Sequence, residues 1–497
     1  MAHHLLAIDQ GTTGTTALIL DVSGRTVGRS NVEFAQHYPQ PGWVEHDSED
    51  IWRSVLEAVR QALAAASLSA GNIAAIGITN QRETTLVWDR ATGAPIHRAI
   101  VWQCRRTADR CEELRAAGYG PKVKEHTGLV LDPYFSGTKI GWILDHVPGA
   151  RARAEAGELA FGTIDSFLCW RLTGGAQHVT DVTNASRTLL MNLASLEWDP
   201  EMLRMLEVPP SMLPRIVGSA ERIGVTRGVP GLPDGIPISG IAGDQQAALF
   251  GQACFEVGDV KCTFGTGAFV LVNTGDRVVQ SRYGLLTTVG WKVGTEVVYA
   301  LEGSAFIAGA AVQWLRDGLG LIGQAPEIEA LARKVESSGG VMFVPALAGL
   351  GAPYWDASAR GMLCGITRGT TSAHLARATL EGIAHEVSDL IEAMSEDLGY
   401  AVGRVRVDGG AASNDLLMQM QADLAGITVE RPRELETTAR GAAMLAAVGA
   451  GLVASSRQAA GMVRIDGTFG VRMSREKRAE ERKSWSEAIR RARMAPT

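Results

Sequence analysis

One pattern occurs twice in this chain. Residues 5–9 (LLAID) read as a buried strand, QGTTGT as a tight turn, and residues 16–21 (TALILD) as the returning strand. In the second half, residues 259–264 (DVKCTF) read as a strand, Gly265-Thr266-Gly267 as the turn and residues 268–273 (AFVLVN) as the return. A β-hairpin with a Gly/Thr turn in each half predicts two related α/β domains aiming their turns at one cleft. The length of 497 residues agrees, because it exceeds what a single hydrophobic core organises. The boundary is placed near residue 250, giving units 1–250 and 251–497.

The segments between the hairpins fit α/β units. Residues 47–66 predict an amphipathic helix, with Asp47 or Ser48 as cap and Ile51, Trp52, Val55, Val59 and Leu63 on one face. Residues 73–79 (IAAIGIT) predict a buried strand that delivers Asn80-Gln81-Arg82-Glu83 at its end. A helix is expected over 372–395. The strand 404–408 (RVRVD) ends at Asp408-Gly409-Gly410, and a helix from about 414 is expected to be capped by Ser413 and stopped near Gly426. The tail from about 474 is charged and reads as an outer helix.

Composition narrows the function classes. A net charge of −6 gives no global pull toward nucleic acid or anionic membrane, so neither is an expected partner. The six cysteines are scattered without a Cys-x-x-Cys pair, which argues against a zinc site or a disulfide framework. The start, Met-Ala-His-His-Leu, lacks the basic and apolar regions of a signal peptide, and His3-His4 reads as an exposed end. The stretch 441–456 is too short and too rich in Gly and Ala for a membrane span. The expectation is a cytoplasmic enzyme with no membrane insertion.

A strand ending in Asp9 and turning through Gln10-Gly11-Thr12-Thr13 gathers backbone N–H groups and two hydroxyls in one place. That is either an ordinary hairpin turn or a phosphate cradle. Asp9 would repel phosphate, so a cradle implies Mg2+ between them, held through water. The second turn, at Thr266, would cover a polyphosphate from the other side. Asp408-Gly409-Gly410 before a helix adds a third glycine turn, suited to an adenosine or α-phosphate. No Gly-Lys dipeptide and no His-Arg-Asp occurs, which excludes a Walker A loop and a protein-kinase catalytic loop. GLGLIG at 318–323 matches a dinucleotide pattern but follows a helical stretch, and it reads as a helix end and loop. Asn184-Ala-Ser186 fits the glycosylation sequon and is set aside, since nothing indicates secretion.

Three glycine turns at strand ends resemble the actin-like (ribonuclease H-like) ATPase fold. The runs DQGTTG (9–14), ITNQRET (78–84), VWQCRRTAD (101–109), DPYFSGTKIGWILDH (132–146), TNASRT (183–188), PISGIAGDQQAALFGQ (237–252), FGTG (264–267), VPALAGLGAPYWDASARGMLCGITRG (344–369) and VDGGAASNDLLMQMQAD (407–423) go further. They resemble the FGGY carbohydrate kinases, on the glycerol-kinase branch, from about residue 5 to about residue 450.

The resemblance implies two actin-like domains flanking a central cleft, ATP and Mg2+ as cofactors, glycerol as substrate, and a homo-oligomer, dimer or tetramer. It implies that Arg82 and Glu83 grip hydroxyls, a donor and an acceptor suited to a vicinal diol. Tyr134 would add a hydroxyl contact, and Trp102 and Phe269 would wall the carbon chain, although core packing is an equal reading for each aromatic. Asp244 would take the proton from the attacking hydroxyl, with Gln245 beside it on the substrate; a capping role for Asp244 is compatible with this. Thr12, Thr13, Gly14, Thr266, Gly309, Gln313, Gly410 and Asn414 would hold the nucleotide. Lys139 has no assigned chemistry and is expected on the surface.

Two departures stand out. Gly14-Thr15-Thr16 replaces the Ser-Ser-Arg of many relatives and removes one basic contact to phosphate. RGVPGLPDG (227–235) lacks the basic residues with which some relatives bind fructose 1,6-bisphosphate, so that inhibition is not expected. A rival of another class is a non-enzymatic nucleotide switch on the same fold, which has no need of Arg82, Glu83 and Asp244 beside a phosphate cradle.

Overall fold

The computed structural model describes residues 3–356 and 358–494. Two mixed sheets carry the architecture. The first contains β1 (His4–Gln10), β2 (Gly14–Asp21), β3 (Thr26–Glu33), β4 (Ile73–Asn80), β5 (Gly224–Val225) and β6 (Pro237–Gly243), in the order β5-β6-β4-β1-β2-β3. The second contains β7 (Val260–Phe264), β8 (Ala268–Gly275), β9 (Leu286–Val293), β10 (Glu296–Ala305), β11 (Arg404–Asp408), β12 (Thr428–Pro432) and β13 (Ile465–Phe469), in the order β9-β10-β8-β7-β11-β12-β13.

The sheets repeat one topology. β1 pairs antiparallel with β2 and parallel with β4, and β7 pairs antiparallel with β8 and parallel with β11. A second parallel strand follows in each, β6 and β12, and an antiparallel edge strand closes each, β5 and β13. The duplicated hairpin seen in the sequence is therefore the visible part of a larger repeat. Central strands such as β1 are apolar on both faces because helices cover both sides.

The outer face of the first sheet is covered by α1 (Ser48–Ala66), capped by Asp47, whose Ile51, Val55, Ala58 and Ala62 pack with Leu6, Ile8 and Ile76. In the connection between β4 and β5 lies α2 (Ser136–His146). Two helices lie on the inner face, between the sheets: α3 (Asp244–Gly251) and, after α4 (Gly309–Asp317), α5 (Ser372–Leu398) and α6 (Asp415–Ala425), the helix α7 (Thr437–Gly449). Glycines set how close α7 comes. A Cβ on Gly77 of β4 would lie 2.1 Å from the Ala442 carbonyl, and one on Gly240 of β6 would lie 2.4 Å from the Ala446 nitrogen. Alanines 442, 443, 446 and 447 complete this small-residue seam, fully buried. The Gly/Ala stretch set aside as a membrane span is thus partly the buried α7. Among the described residues no helix is long and apolar enough to cross a membrane.

Some expectations need correction. The helix after Gly410 is capped by Asn414, which accepts from the Leu417 amide at 2.9 Å, while Ser413 donates to the Gly410 carbonyl. Ser413 sits inside a 3-10 turn (Gly410–Ser413), one residue too early to cap. His4 is the first residue of β1 rather than an exposed end. The tail helix α8 (Arg475–Ala492) is amphipathic enough to bury Trp485 and Ile489 against Val344 and Leu350. GLGLIG follows α4 directly as loop, as read. All six cysteines are free.

Candidate active site

Three parallel strands end at the same level. Gln10 of β1 and Gly243 of β6 both lie opposite Asn80 of β4. The residues that follow, the Gly11–Thr13 turn, Gln81-Arg82-Glu83 and Asp244, are therefore delivered side by side, at the carboxyl ends where α/β sheets collect ligands. Asp9 sits one residue inside this line.

Arg82 is the centre of the site and is 3% exposed. Its Nε lies 3.0 Å from an Asp244 carboxylate oxygen, and its two terminal nitrogens donate to Glu302 of β10 at 2.5 and 2.9 Å. Arg187 adds a second guanidinium, donating to Glu83 at 2.7 Å and to Glu302 at 3.0 Å. Burial alone would raise the Glu302 carboxyl, but Arg187 and Arg82 overcome it and hold it at about 2. At Glu83 burial wins over Arg82 and Arg187, and its carboxyl is raised. Two arginines and two carboxylates from both sheets thus form one buried network beneath Asp244, which is itself half-buried. Asp244 opens α3 without accepting from a turn amide further along; its carboxylate takes the Gln245 N–H at 2.7 Å. The capping alternative for Asp244 is limited to that single bond.

Glu83 is held in the left-handed region, with φ of 59°, uncommon for a residue with a side chain. Its carbonyl accepts from Ser136 Oγ, Thr85 Oγ1 and Lys139 Nζ. Lys139 is 0% exposed and also donates to the Tyr134 carbonyl at 2.7 Å, so the surface expectation for it is wrong. Its site on α2 faces the polar turn after β4, where an amino group satisfies two carbonyls that burial would otherwise orphan. Burial pushes its amine down to about 7.

The two Gly/Thr turns are built alike. In the first, the Gly11 N–H closes onto the Gly14 carbonyl at 2.9 Å; in the second, the Gly265 N–H closes onto the Gly267 carbonyl at 2.9 Å. Among the described residues the N–H groups of Thr12, Thr13 and Thr266 find no protein acceptor, and Thr13 and Thr266 are exposed. Such clustered free amides are anion-binding groups. Gly14 instead serves the sheet, since a Cβ there would lie 3.0 Å from the Val32 carbonyl. Thr16 accepts from Asn31 at 2.9 Å. Asp9 has neither ion pair nor side-chain hydrogen bond among the described residues, and burial, then the charge of Asp244, raises its carboxyl well above the usual range.

The aromatic residues stand beside this floor. Trp102 donates its indole N–H to Thr12 Oγ1 at 2.9 Å and meets Tyr134 edge-on at 5.5 Å between ring centres. Tyr134 Oη accepts from Arg82 at 3.5 Å. Phe269 lies opposite Ser304, on the same sheet face as Glu302, and is half-buried. Gln245 is buried, and its side-chain carbonyl accepts from Lys261 Nζ, which also bonds Thr263.

On the far side, α4 begins on the second turn. The Gly309 N–H donates to the Gly265 carbonyl at 2.9 Å, and a Cβ on Gly309 would lie 2.6 Å from that oxygen. Gln313, one turn on, is exposed, as is Gly410 after β11. The Asn414 side-chain oxygen is spent on the cap of α6. At the same strand end Gly409 takes φ of 84°, and a Cβ there would meet the Phe264 backbone, so Gly409 rather than Gly410 is the glycine that this turn requires.

Sequence reasoning missed Glu302, Arg187, Gln246 and Lys261. Gln246 accepts from Arg82 at 3.2 Å. A lone acid in the apolar run VVYALEGSA was the available signal for Glu302.

Comparisons with known proteins agree with this geometry. Residues 4–251 match the FGGY family of carbohydrate kinases, N-terminal domain, and residues 260–450 match its C-terminal domain. The chain is 57% identical to a glycerol kinase of Myxococcus xanthus over 493 residues, 99% of each chain. It is 56% identical to a glycerol kinase of Alkalilimnicola ehrlichii over 488 residues, 98% of each. The crystal structure of Plasmodium falciparum glycerol kinase with ADP superposes with a TM-score of 0.93 at 35% identity, covering 99% of both chains. A gluconate kinase from Lactobacillus acidophilus shares the fold, with a TM-score of 0.87 at 21% identity, 99% of this chain and 98% of that one. With two repeated α/β halves, a buried ion network between them and both family domains matched in order, the chain belongs to the FGGY family of carbohydrate kinases.

Proposed function

We propose that this protein transfers the γ-phosphoryl group of ATP to a terminal hydroxyl of glycerol, giving sn-glycerol 3-phosphate by direct in-line displacement. The observation that carries the reading is the 3.0 Å contact between Arg82 and a half-buried Asp244, at the line where three strand ends meet. Curated relatives named glycerol kinase over nearly the whole chain support the choice of substrate, and a relative solved with ADP supports the nucleotide.

In this reading Asp244 accepts the proton of the attacking hydroxyl, and Arg82 keeps that carboxylate oriented. Glu83, with one oxygen free of hydrogen bonds among the described residues, and Tyr134 take the remaining hydroxyls of glycerol. Trp102 and Phe269 flank the carbon chain, and Gln245 offers its amide nitrogen. The free amides at Thr12, Thr13 and Thr266 hold the phosphates, with Gly14 and Gly309 setting the shape of the turns. Gln313, Gly410 and Asn414 line the adenosine side. Asp9 fits a Mg2+ site, since it is an uncompensated carboxylate next to Asp244; Mg2+ would neutralise phosphate charge there, through water. Alignment and charge neutralisation supply most of phosphoryl-transfer catalysis. Closure of the two halves over the cleft would keep water from the phosphoryl group. A cytoplasmic setting and association into a dimer or tetramer go with the reading.

The test is an ATP-coupled assay of the purified protein on glycerol, dihydroxyacetone, erythritol and xylulose, with Asp244→Asn as control. Glycerol is expected to have the highest kcat/KM. A higher value for a ketose or tetritol transfers the assignment to another small polyol, and ATP binding without turnover of any polyol makes the protein a switch.

A further inference from the structure

Away from the active-site residues, a cavity opens at the seam between the two halves. Its volume is about 210 Å³. One wall is the β2–β3 turn, Ser23 to Arg25; the other comes from the segment after β12, the first turns of α7 and residues 462–464. Its charge is one-sided. Arg25, Arg433, Arg440 and Arg464 line it, against Glu434 as the only acid of the lining among the described residues.

The arginines differ in what they already hold. Arg25 is paired with Asp21 at 3.0 Å. Arg433 and Arg464 are exposed and make no ion pair among the described residues, although the Arg433 amide fixes the two segments together by donating to the Arg464 carbonyl at 2.8 Å. Arg440 is 2% exposed. It ties the halves together by donating to the carbonyls of Gly24 and Met462 and, at 3.3 Å, to Thr26 Oγ1. Its Nε is buried without an acceptor, and its nearest acid, Glu434, stands 3.8 Å from the other end of the guanidinium and is half exposed. A buried guanidinium with an unmet donor is costly unless an anion completes it. The N-terminal turn of α7 opens at Thr437 in the same lining and adds its positive end.

We propose that this cavity binds a small phosphate monoester dianion. The arginines and the start of α7 would take the phosphoryl oxygens, bidentate at a guanidinium. Met462, Val463 and Pro432 form an apolar wall for a short carbon chain. The volume has room for a phosphoryl group with a short carbon chain. Because the walls belong to both halves, an occupant bridges them.

The test is titration calorimetry of the full chain with inorganic phosphate and with methyl phosphate, in excess glycerol and a β,γ-imido analogue of ATP, so that every phosphate position of the cleft is filled. The double variant Arg433→Gln/Arg464→Gln is compared with Thr266→Val, which alters the cleft turn instead. The expected result is one site per chain, weakened at least tenfold in the arginine variant and unchanged in Thr266→Val, with slower amide exchange at residues 22–26 and 462–464. Tighter binding of methyl phosphate assigns the apolar wall to the carbon chain, and equal binding assigns the site to the phosphoryl group alone. Both arginines are exposed, so a melting temperature matching that of the parent confirms folding. Absence of binding, equal binding by the arginine variant, or loss of binding in Thr266→Val overturns the proposal.

Discussion

Arg82 reaches Asp244 with its Nε and spends both terminal nitrogens on Glu302, so a residue from the second sheet fixes the orientation of the base proposed in the first. The two carboxylates separate chemistry from support. Asp244→Asn keeps an oxygen near Arg82 but removes the proton acceptor, so kcat is expected to fall roughly 100-fold or more with an unchanged melting temperature. Unaltered turnover would reduce Asp244 to a helix-start residue.

Glu302→Gln is expected to behave in the opposite way. It leaves Arg82 and Arg187 buried with too little negative charge, a loss of about 3–5 kcal/mol in urea unfolding. A loss under 1 kcal/mol would show that Glu83 and Asp244 together suffice for both guanidinium groups.

Trp102 connects the wall proposed for the polyol to the first phosphate turn through Thr12. Trp102→Phe keeps a ring and removes that hydrogen bond, worth about 1 kcal/mol. Steady-state kinetics should show KM for ATP rising several-fold. An effect on KM for glycerol alone would place the tryptophan only at the wall.

Lys139 supplies a pH signature. Its amine titrates at about 7 in the fold, lowered by burial, against an ordinary lysine value near 10.5 when unfolded. Between these values the unfolded chain binds more protons, so stability from this group rises as pH increases from 7 toward 10. Urea midpoints of the wild type relative to Lys139→Met should therefore climb over that interval. A flat difference would mean that the amine stays charged. The same variant frees the Glu83 and Tyr134 carbonyls, and KM for glycerol should rise while Lys139→Arg rescues little, because a planar guanidinium fork does not reproduce the compact contacts of an ammonium.

The seam under α7 admits no side chain. Gly240→Ala would press a methyl onto the Ala446 backbone, and a cost of about 2 kcal/mol or more is expected from calorimetric melting. Gly403→Ala, which meets nothing within 4 Å, is the control.

Local patterns made much of this legible. The Gly/Thr hairpins, the buried strand before Arg82 and the amphipathic α1 follow from period and turn chemistry alone. Long-range pairing was not legible. Glu302 looks like one acid in an apolar strand until β10 brings it against Arg82, and Lys139 looks like a surface residue until α2 turns it toward two carbonyls. The Ser413 cap failed because adjacent capping residues, Ser413 and Asn414, differ only in where the 3-10 turn ends.

The glycine seam also has a consequence for synthesis. The first sheet is complete on the chain at Gly243 and α3 follows at once, but α7, the other helix on its inner face, begins only at Thr437. A nascent chain emerging from the ribosome must therefore carry Leu5, Ala7 and Ala242 without α7 over them while everything between is made. A premature stop before α7 would leave even an intact first half with part of that apolar face exposed, and such a fragment is expected to aggregate.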